Sequence, residues 1–441
     1  MKSMKMIKTS MLTSVIFSFL WVSGGTALAE EPNLEAESAI LVDAETGKII
    51  YDDEIDVILP PASMTKIMTE YLVNEAVKSG KIAWDDEVKI SDTVRELSLE
   101  TNLSNVPLRQ DETYTVKELY EAMAIYSANG ATIALAEHVA GSEGEFVKLM
   151  NEKAKEIGME NYKFVNSTGL NNKSMDGQHP KGTKADEENM MSARATATLA
   201  YHLLKEYPET LETTSIRAKT FKEGTEDYID MQNWNWMLPG SVFAYEGVDG
   251  LKTGYTDMAG NAFTGTAERD GMRFISVVMR TDSREARFKE TAKLLDYGFD
   301  TFTYEKVIEK GESVKGKKAL PVSKGKEDAV TVAAGHTLSV LVEKDQKEKM
   351  TPVVTLNKKY FNEDGELIAP LKKGQAVGLI TIENDKDDEY LQEEMRENVK
   401  VPLVIQEDVE KAGWFSLSLR SIGGFFGEMW SGAASFVKEL F

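Results

Sequence analysis

The chain has 441 residues, a formal net charge of −22, no cysteine, and 42% apolar and 28% charged residues. That length accommodates two or three domains with cores of their own. The acidity speaks against a nucleic-acid partner, which demands a basic surface, and the lack of cysteine excludes disulfides, thiolate catalysis and cysteine-bound metals.

Residues 1–29 read as a secretory signal peptide. Lys2, Lys5 and Lys8 lead an apolar run from Met11 to Val22, and Ala27-Leu28-Ala29 supplies a small-x-small cleavage site. The run is short for a membrane span, so export with cleavage after Ala29 is expected. Residues 38–51 alternate towards a strand, turn at Glu45-Thr46-Gly47 and resume as Lys48-Ile49-Ile50-Tyr51, a hairpin.

Pro60-Pro61-Ala62-Ser63-Met64-Thr65-Lys66 then reads as a helix start, with Met64, Ile67, Met68, Tyr71 and Leu72 at helical spacing. Ser63 and Lys66 lie three residues apart and share a face. In a first helical turn, unpaired backbone N–H groups and the positive dipole end favour a developing oxyanion. A lysine that is desolvated or set beside other cations can lose its proton and then take the proton of Ser63. This is serine acyl-enzyme chemistry without a histidine. The same spacing recurs at Ser323/Lys326 and Ser435/Lys438 without supporting context, so Ser-x-x-Lys alone carries little.

Polar, irregular chain follows to about Glu112. Thr115-Val116-Lys117-Glu118 is a capping box that opens a helix with Val116, Leu119, Tyr120, Met123 and Ala124 on one face. That helix ends at Ser127-Ala128-Asn129-Gly130. A second helix runs from Ala131 to Val139, and Ser142-Glu143-Gly144-Glu145 starts a third. Ser127 and Asn129 present two polar side chains at one point between helices, a pattern that is also a plain helix-end cap. Residues 166–190 form a long polar loop of the kind that borders a site, and a helix at 192–206 follows. Val248 to Tyr255 reads as a strand. On it, Lys252-Thr253-Gly254 sets a cation and a hydroxyl beside a glycine that lets a ligand approach the backbone. Strands Asn261–Ala267 and Met272–Met279 meet at Arg269-Asp270-Gly271, and a helix from Arg284 to Tyr297 closes the unit.

From about Tyr304 the texture changes to short alternating runs, at 330–332, 338–342, 353–356 and 376–382. They predict a separate small β domain over 306–405 with a spacer or docking role. From Trp414 a single apolar stripe, with Phe415, Leu419, Ile422, Phe426, Met429 and Trp430 along it, predicts an amphipathic helix over 410–441 lying in a membrane interface.

Ser63-x-x-Lys66 on a helix start, Ser127-x-Asn129 between helices and Lys252-Thr253-Gly254 on a strand occur in the order that marks penicillin-binding proteins and serine β-lactamases. From about Ala36 onward the chain resembles the low-molecular-weight penicillin-binding proteins, specifically the D-alanyl-D-alanine carboxypeptidases. The resemblance extends through Ala39–Gly47, Pro61–Lys66 and Asp249–Thr256, the β domain and the tail.

It implies an α/β fold of the α+β type: an antiparallel sheet flanked by helices with a helical lobe over 30–305, then the β domain and the tail helix. It implies removal of the terminal D-alanine from peptidoglycan stem pentapeptides, inhibition by β-lactam antibiotics, no cofactor and no metal. Ser63 would attack, Lys66 would be the base, Ser127 would relay the proton to the leaving group, and Asn129 would hold the peptide amide. Lys252 and Thr253 would meet the substrate carboxylate, with Gly254 beside them in the substrate-binding strand, and the N–H groups of Ser63 and Tyr255 would form the oxyanion hole. Arg284, at the start of the closing helix, would add a guanidinium fork for the carboxylate.

Two positions depart from the family pattern. Gly130 follows Asn129 where many relatives have Asp, and Ala195 stands where many carry the Asp of Ala-Arg-Asp, which predicts a looser long loop and slower deacylation. The expected place of action is the outer face of the cytoplasmic membrane. Competing readings are a membrane-associated serine β-lactamase, a non-catalytic penicillin sensor, and a peptidoglycan-binding module with a decayed site. A Ser-His-Asp hydrolase lacks its Gly-x-Ser-x-Gly, and a zinc peptidase lacks its His-Glu-x-x-His.

Overall fold

The computed structural model describes residues 31–344, 350–382 and 388–413. The signal peptide read at 1–29 and the stripe beginning at Trp414 lie outside them. Among the described residues no helix is long and apolar enough to cross a membrane.

The first hairpin consists of β1 (Ser38–Asp43) and β2 (Ile49–Asp53). Its turn is closed by the Asp43 carboxylate, which accepts from the Thr46 amide at 3.0 Å and from the Thr46 hydroxyl. With β3 (Val248–Thr256), β4 (Gly260–Arg269) and β5 (Met272–Thr281) it builds an antiparallel sheet in the order β2-β1-β5-β4-β3. Both faces of this sheet are covered, so β1 is buried along its whole length. Residue parity divides the strands between two cores. Ile40, Val42, Ile275 and Val277 face a lobe of helices, while Ala39, Leu41, Phe274 and Val278 face the closing helix.

The lobe contains α1 (Lys66–Lys78), α2 (Asp92–Ser98), α3 (Val116–Tyr126), α4 (Asn129–Ala140), α5 (Glu143–Glu156), α6 (Ala193–Glu206) and the short α7 (Thr210–Thr214). Ser91, Thr115, Ser142 and Ser192 cap α2, α3, α5 and α6 through their side chains, and the Thr115–Glu118 capping box is complete. α2 falls in the stretch read as irregular, because a seven-residue helix with Val94 and Leu97 buried is too short to display a period.

The closing helix, α8 (Arg284–Thr301), runs one turn beyond the expected Tyr297. Gly298 does not end it. A Cβ there would meet Leu41 Cδ2 at 2.9 Å and Phe274 Cε2 at 3.0 Å, so this glycine allows helix and sheet to approach closely.

Beyond α8, β6 (Phe302–Ile308) pairs with β9 (Leu338–Glu343). The strands β7 (Ala319–Ser323), β8 (Ala329–Ala334), β10 (Pro352–Leu356), β11 (Leu367–Ile368), β12 (Ala376–Ile382) and β13 (Val401–Ile405) form a second sheet in the order β10-β12-β13-β8-β7-β11. A core of its own, including Val332, Leu338, Leu367, Ile380 and Leu403, lies within it. The architecture is thus the α+β arrangement that the resemblance implies. One segment of this second unit returns to the first. Tyr390, Leu391, Met395 and Val399 join the core of the helical lobe, Lys48 pairs with Asp388 at 2.7 Å, and Arg194 pairs with Glu389 at 2.7 Å.

Candidate active site

The chain enters the site at Pro61. Ala62 takes a left-handed backbone (φ 49°), and Ala62–Thr65 form a 3-10 turn before α1 starts at Lys66. Ser63 therefore sits in the tight turn ahead of the helix, not in the first turn of α1 as the apolar stripe suggests. A left-handed alanine costs about 1–2 kcal/mol, a strain typical of functional sites. β3 presses on this turn: a Cβ on Gly254 would lie 2.5 Å from the Pro61 carbonyl oxygen and 3.2 Å from Met64 Cγ. Glycine at 254 is what lets the Lys252-Thr253-Gly254 strand lie directly against the serine.

Lys66 is fully buried. Its Nζ lies 3.1 Å from Ser63 Oγ, 2.8 Å from Asn129 Oδ1 and 2.7 Å from the Thr168 carbonyl oxygen. Burial holds its pKa well below the usual lysine range and the Lys252 charge adds to this, while Glu70 and Glu143 act in the opposite direction. A neutral amine has two N–H donors and one lone pair. The Asn129 and Thr168 oxygens can only accept, so they take the two N–H groups. The lone pair is left for Ser63, whose hydroxyl is the one partner with a proton to give. An amine held in this way, when neutral, can accept a proton from one neighbour, Ser63.

Asn129 is bound at both ends of its carboxamide inside the protein, by Lys66 and by the Ser104 carbonyl at 3.1 Å. In this arrangement it orients Lys66 and ties down the 101–104 segment. Ser127, at the left-handed end of α3 (φ 61°), faces the cleft, and its hydroxyl makes no hydrogen bond among the described residues. Lys252 is 2% exposed. Burial lowers its pKa, Glu70 raises it and Arg287 lowers it further. Thr253, Gly254 and Tyr255 line the same cleft of about 410 Å³. Arg284 stands exposed at its rim, with Cζ 5.8 Å from the Trp234 ring and 5.7 Å from the Tyr255 ring. Among the described residues it pairs with neither Asp282 nor Glu285. All nine residues singled out in the sequence thus converge on one cleft or its buried wall. Ser323 does not: it lies in β7 of the second unit, where Lys326 is paired with Glu410.

Other site residues escaped the motif reading. Glu70 is fully buried one helical turn beyond Lys66. Its Oε2 accepts from the Thr210 hydroxyl at 3.4 Å, and its Oε1 has no partner. Burial raises its pKa and the two lysines lower it. Arg287 is 3% exposed and donates to the Gly254 carbonyl at 3.1 Å, bracing β3 from behind. Burial, with Arg284 nearby, brings its pKa down to about 10. Spacing held a signal for both, since Glu70 is i+4 from Lys66 and Arg287 is i+3 from Arg284. Trp234, whose indole donates to the Tyr126 carbonyl at 3.1 Å, carried none.

The long loop is tightly tied. Asn166 Oδ1 accepts from the Thr168 amide at 3.1 Å and the Gly169 amide at 2.7 Å, and Asn189 Oδ1 accepts from the Val165 amide at 2.6 Å. Ala195 packs at 1% exposure and contributes no polar bond from its side chain. At Gly130 a Cβ would lie 2.8 Å from Ser98 Cβ, which accounts for glycine after Asn129.

Comparison with known proteins agrees with this geometry. Residues 26–283 match the sequence model of the peptidase family described as D-alanyl-D-alanine carboxypeptidase, and residues 302–411 match that of the penicillin-binding protein 5 C-terminal domain. The chain is 34% identical to the D-alanyl-D-alanine carboxypeptidase DacF of Bacillus subtilis, over 88% of this chain and 90% of the relative. It is similar to the crystal structure of a peptidoglycan synthesis regulatory factor (PBP3) from Streptococcus pneumoniae, with a TM-score of 0.74, 36% identity and coverage of 86% and 100% of the two chains. Penicillin-binding protein D2 of Listeria monocytogenes in its ampicillin-bound form matches with a TM-score of 0.51 and 35% identity over 61% of this chain and all of that one. The chain belongs to the D-alanyl-D-alanine carboxypeptidase family, among the low-molecular-weight penicillin-binding proteins.

Proposed function

We propose that this cleft removes the terminal D-alanine from peptidoglycan stem peptides ending in D-Ala-D-Ala, through an acyl-enzyme on Ser63. The observation that carries the reading is the Lys66 amine, buried, held by two acceptors and left with its lone pair towards Ser63. Ser63 Oγ attacks the carbonyl carbon of the penultimate residue, and its proton passes to Lys66 Nζ. The oxyanion that forms is taken by the N–H groups of Ser63 and Tyr255. The C–N bond then breaks, and the proton reaches the departing amine of D-alanine by way of the Ser127 hydroxyl, which stands unengaged in the cleft. Water, giving its proton to Lys66, attacks the ester and frees the shortened peptide. Lys252, Thr253 and Arg284 bind the free carboxylate, and Asn129 holds Lys66 and the peptide amide. A β-lactam carries a comparable amide and carboxylate and acylates the same serine; the ampicillin-bound relative supports this.

We assign residues 30–305 to the peptidase domain and 306–405 to a β domain that serves as spacer or docking module. The protein acts outside the cytoplasm, and residues 410–441 hold it to the outer face of the membrane. Incubating the exported form with a D-Ala-D-Ala peptide should release free D-alanine, and a labelled penicillin should attach to Ser63 and not to a Ser63→Ala variant. Label on the variant would overturn the nucleophile. Fast multiple-turnover penicillin hydrolysis without D-alanine release would favour a β-lactamase.

A further inference from the structure

Glu143, the first residue of α5, is a buried carboxyl that no step above uses. A carboxyl group is costly to bury unless hydrogen bonds satisfy it. Its Oε1 accepts from both the Ser167 amide at 2.9 Å and the Ser167 hydroxyl at 2.7 Å. On the other side of the same residue, the Ser167 carbonyl accepts from Thr69 Oγ1 at 2.8 Å. Ser167 is therefore anchored from α5 at its amide and from α1 at its carbonyl. The next carbonyl along the chain, that of Thr168, is one of the two acceptors that take the N–H groups of Lys66.

We propose that Glu143 is a positioning residue for the general base: by anchoring Ser167 it holds the Thr168 carbonyl against Lys66 and so keeps the amine lone pair on Ser63. The inference rests on the assignment of Lys66 as base. It places the brace of the long loop on α5, at a residue outside the three motifs, in a chain whose position 195 has no polar side chain to offer.

The charged groups that face Glu143 are Lys66 on α1 and Glu137 on α4. Burial, with the hydrogen bonds from Ser167 acting against it, brings the Glu143 carboxyl up to about 7. Oε1 accepts in either protonation state, so glutamine can reproduce the two bonds while removing the charge, and alanine removes both. Loss of the charge makes the cationic form of Lys66 less favourable, so the limb on which acylation rises with Lys66 deprotonation moves to lower pH in both variants. Loss of the bonds lets the Thr168 carbonyl drift, which misaligns the amine.

The test is the rate of acylation by a labelled penicillin and of D-alanine release, followed against pH, with reactive sites counted by penicillin titration. Glu143→Gln is expected to keep the plateau rate within about 3-fold of wild type. Glu143→Ala should lose roughly 10- to 100-fold in kcat at nearly unchanged KM, the range for a misplaced catalytic group. Ser167→Ala, which keeps the amide bond and loses the hydroxyl bond, serves if the alanine variant at 143 fails to fold, and should show a smaller loss of the plateau rate. A wild-type plateau in Glu143→Ala, or in Ser167→Ala where the former does not fold, overturns the positioning role and leaves Lys66 standing. Equal losses in Glu143→Gln and Glu143→Ala also overturn it. Persistent acylation of a Lys66→Ala variant would instead remove the base assignment itself.

Discussion

Replacing Arg284 with alanine should separate recognition of the substrate's free carboxylate from the chemistry. The guanidinium stands exposed at the cleft rim, within 6 Å of the Trp234 and Tyr255 rings, and has no ion-pair partner among the described residues. It also lies in the first turn of α8, where the helix dipole disfavours a cation by about 0.3–1 kcal/mol, a cost that an incoming anion offsets. A hydrogen bond to a charged group contributes about 1.5–3 kcal/mol net. Solvent around an exposed arginine pulls that towards its lower end, so a loss of about 1.5–2 kcal/mol is expected, roughly 10- to 30-fold in kcat/KM. The assay is D-alanine release from one peptide in two forms, free acid and C-terminally amidated. Wild type should strongly prefer the free acid. The variant should lose most of that preference while its activity on the amide changes little. An equal fall for both forms would show that Arg284 supports structure and that the carboxylate is read elsewhere.

Gly254→Ala would set a Cβ 2.5 Å from the Pro61 carbonyl oxygen, a contact with backbone that no rotamer relieves, and should slow penicillin acylation by about 100-fold through displacement of the serine turn; unchanged acylation would refute the close approach. Gly130→Asp meets Ser98 Cβ at 2.8 Å and should cost about 1–3 kcal/mol, read as a lower unfolding midpoint. Glu70→Gln removes a charge that raises the pKa values of both Lys66 and Lys252. The limb set by free Lys66 and the limb set by charged Lys252 should therefore both move to lower pH in a kcat/KM profile, and limbs that stay in place would refute the coupling. Deleting residues 411–441 should yield a soluble, active enzyme, since the predicted apolar stripe would account for several kcal/mol of membrane affinity; equal membrane recovery of both forms would count against the anchor.

Much of this protein was legible in local pattern. The Thr115–Glu118 capping box, the strand runs with the Arg269-Asp270-Gly271 turn, and the order of the three motifs depend on residues a few positions apart, where propensity and spacing act directly. Family resemblance supplied the roles that spacing alone leaves open. Tertiary structure decided what depends on burial and distant approach. Ser63 sits in a 3-10 turn against which β3 packs from nearly two hundred residues along the chain. Lys66 finds the Thr168 carbonyl 102 residues away, and its depressed pKa follows from burial that no short window of sequence encodes. Gly254 and Gly298 each mark a place where two elements touch with no room for a Cβ, an approach that no local pattern encodes. Tyr390 and Met395 read as part of the β domain, yet they complete the core of the helical lobe. Apolar periodicity shows that a face will be buried; which surface buries it is settled by packing across the whole chain.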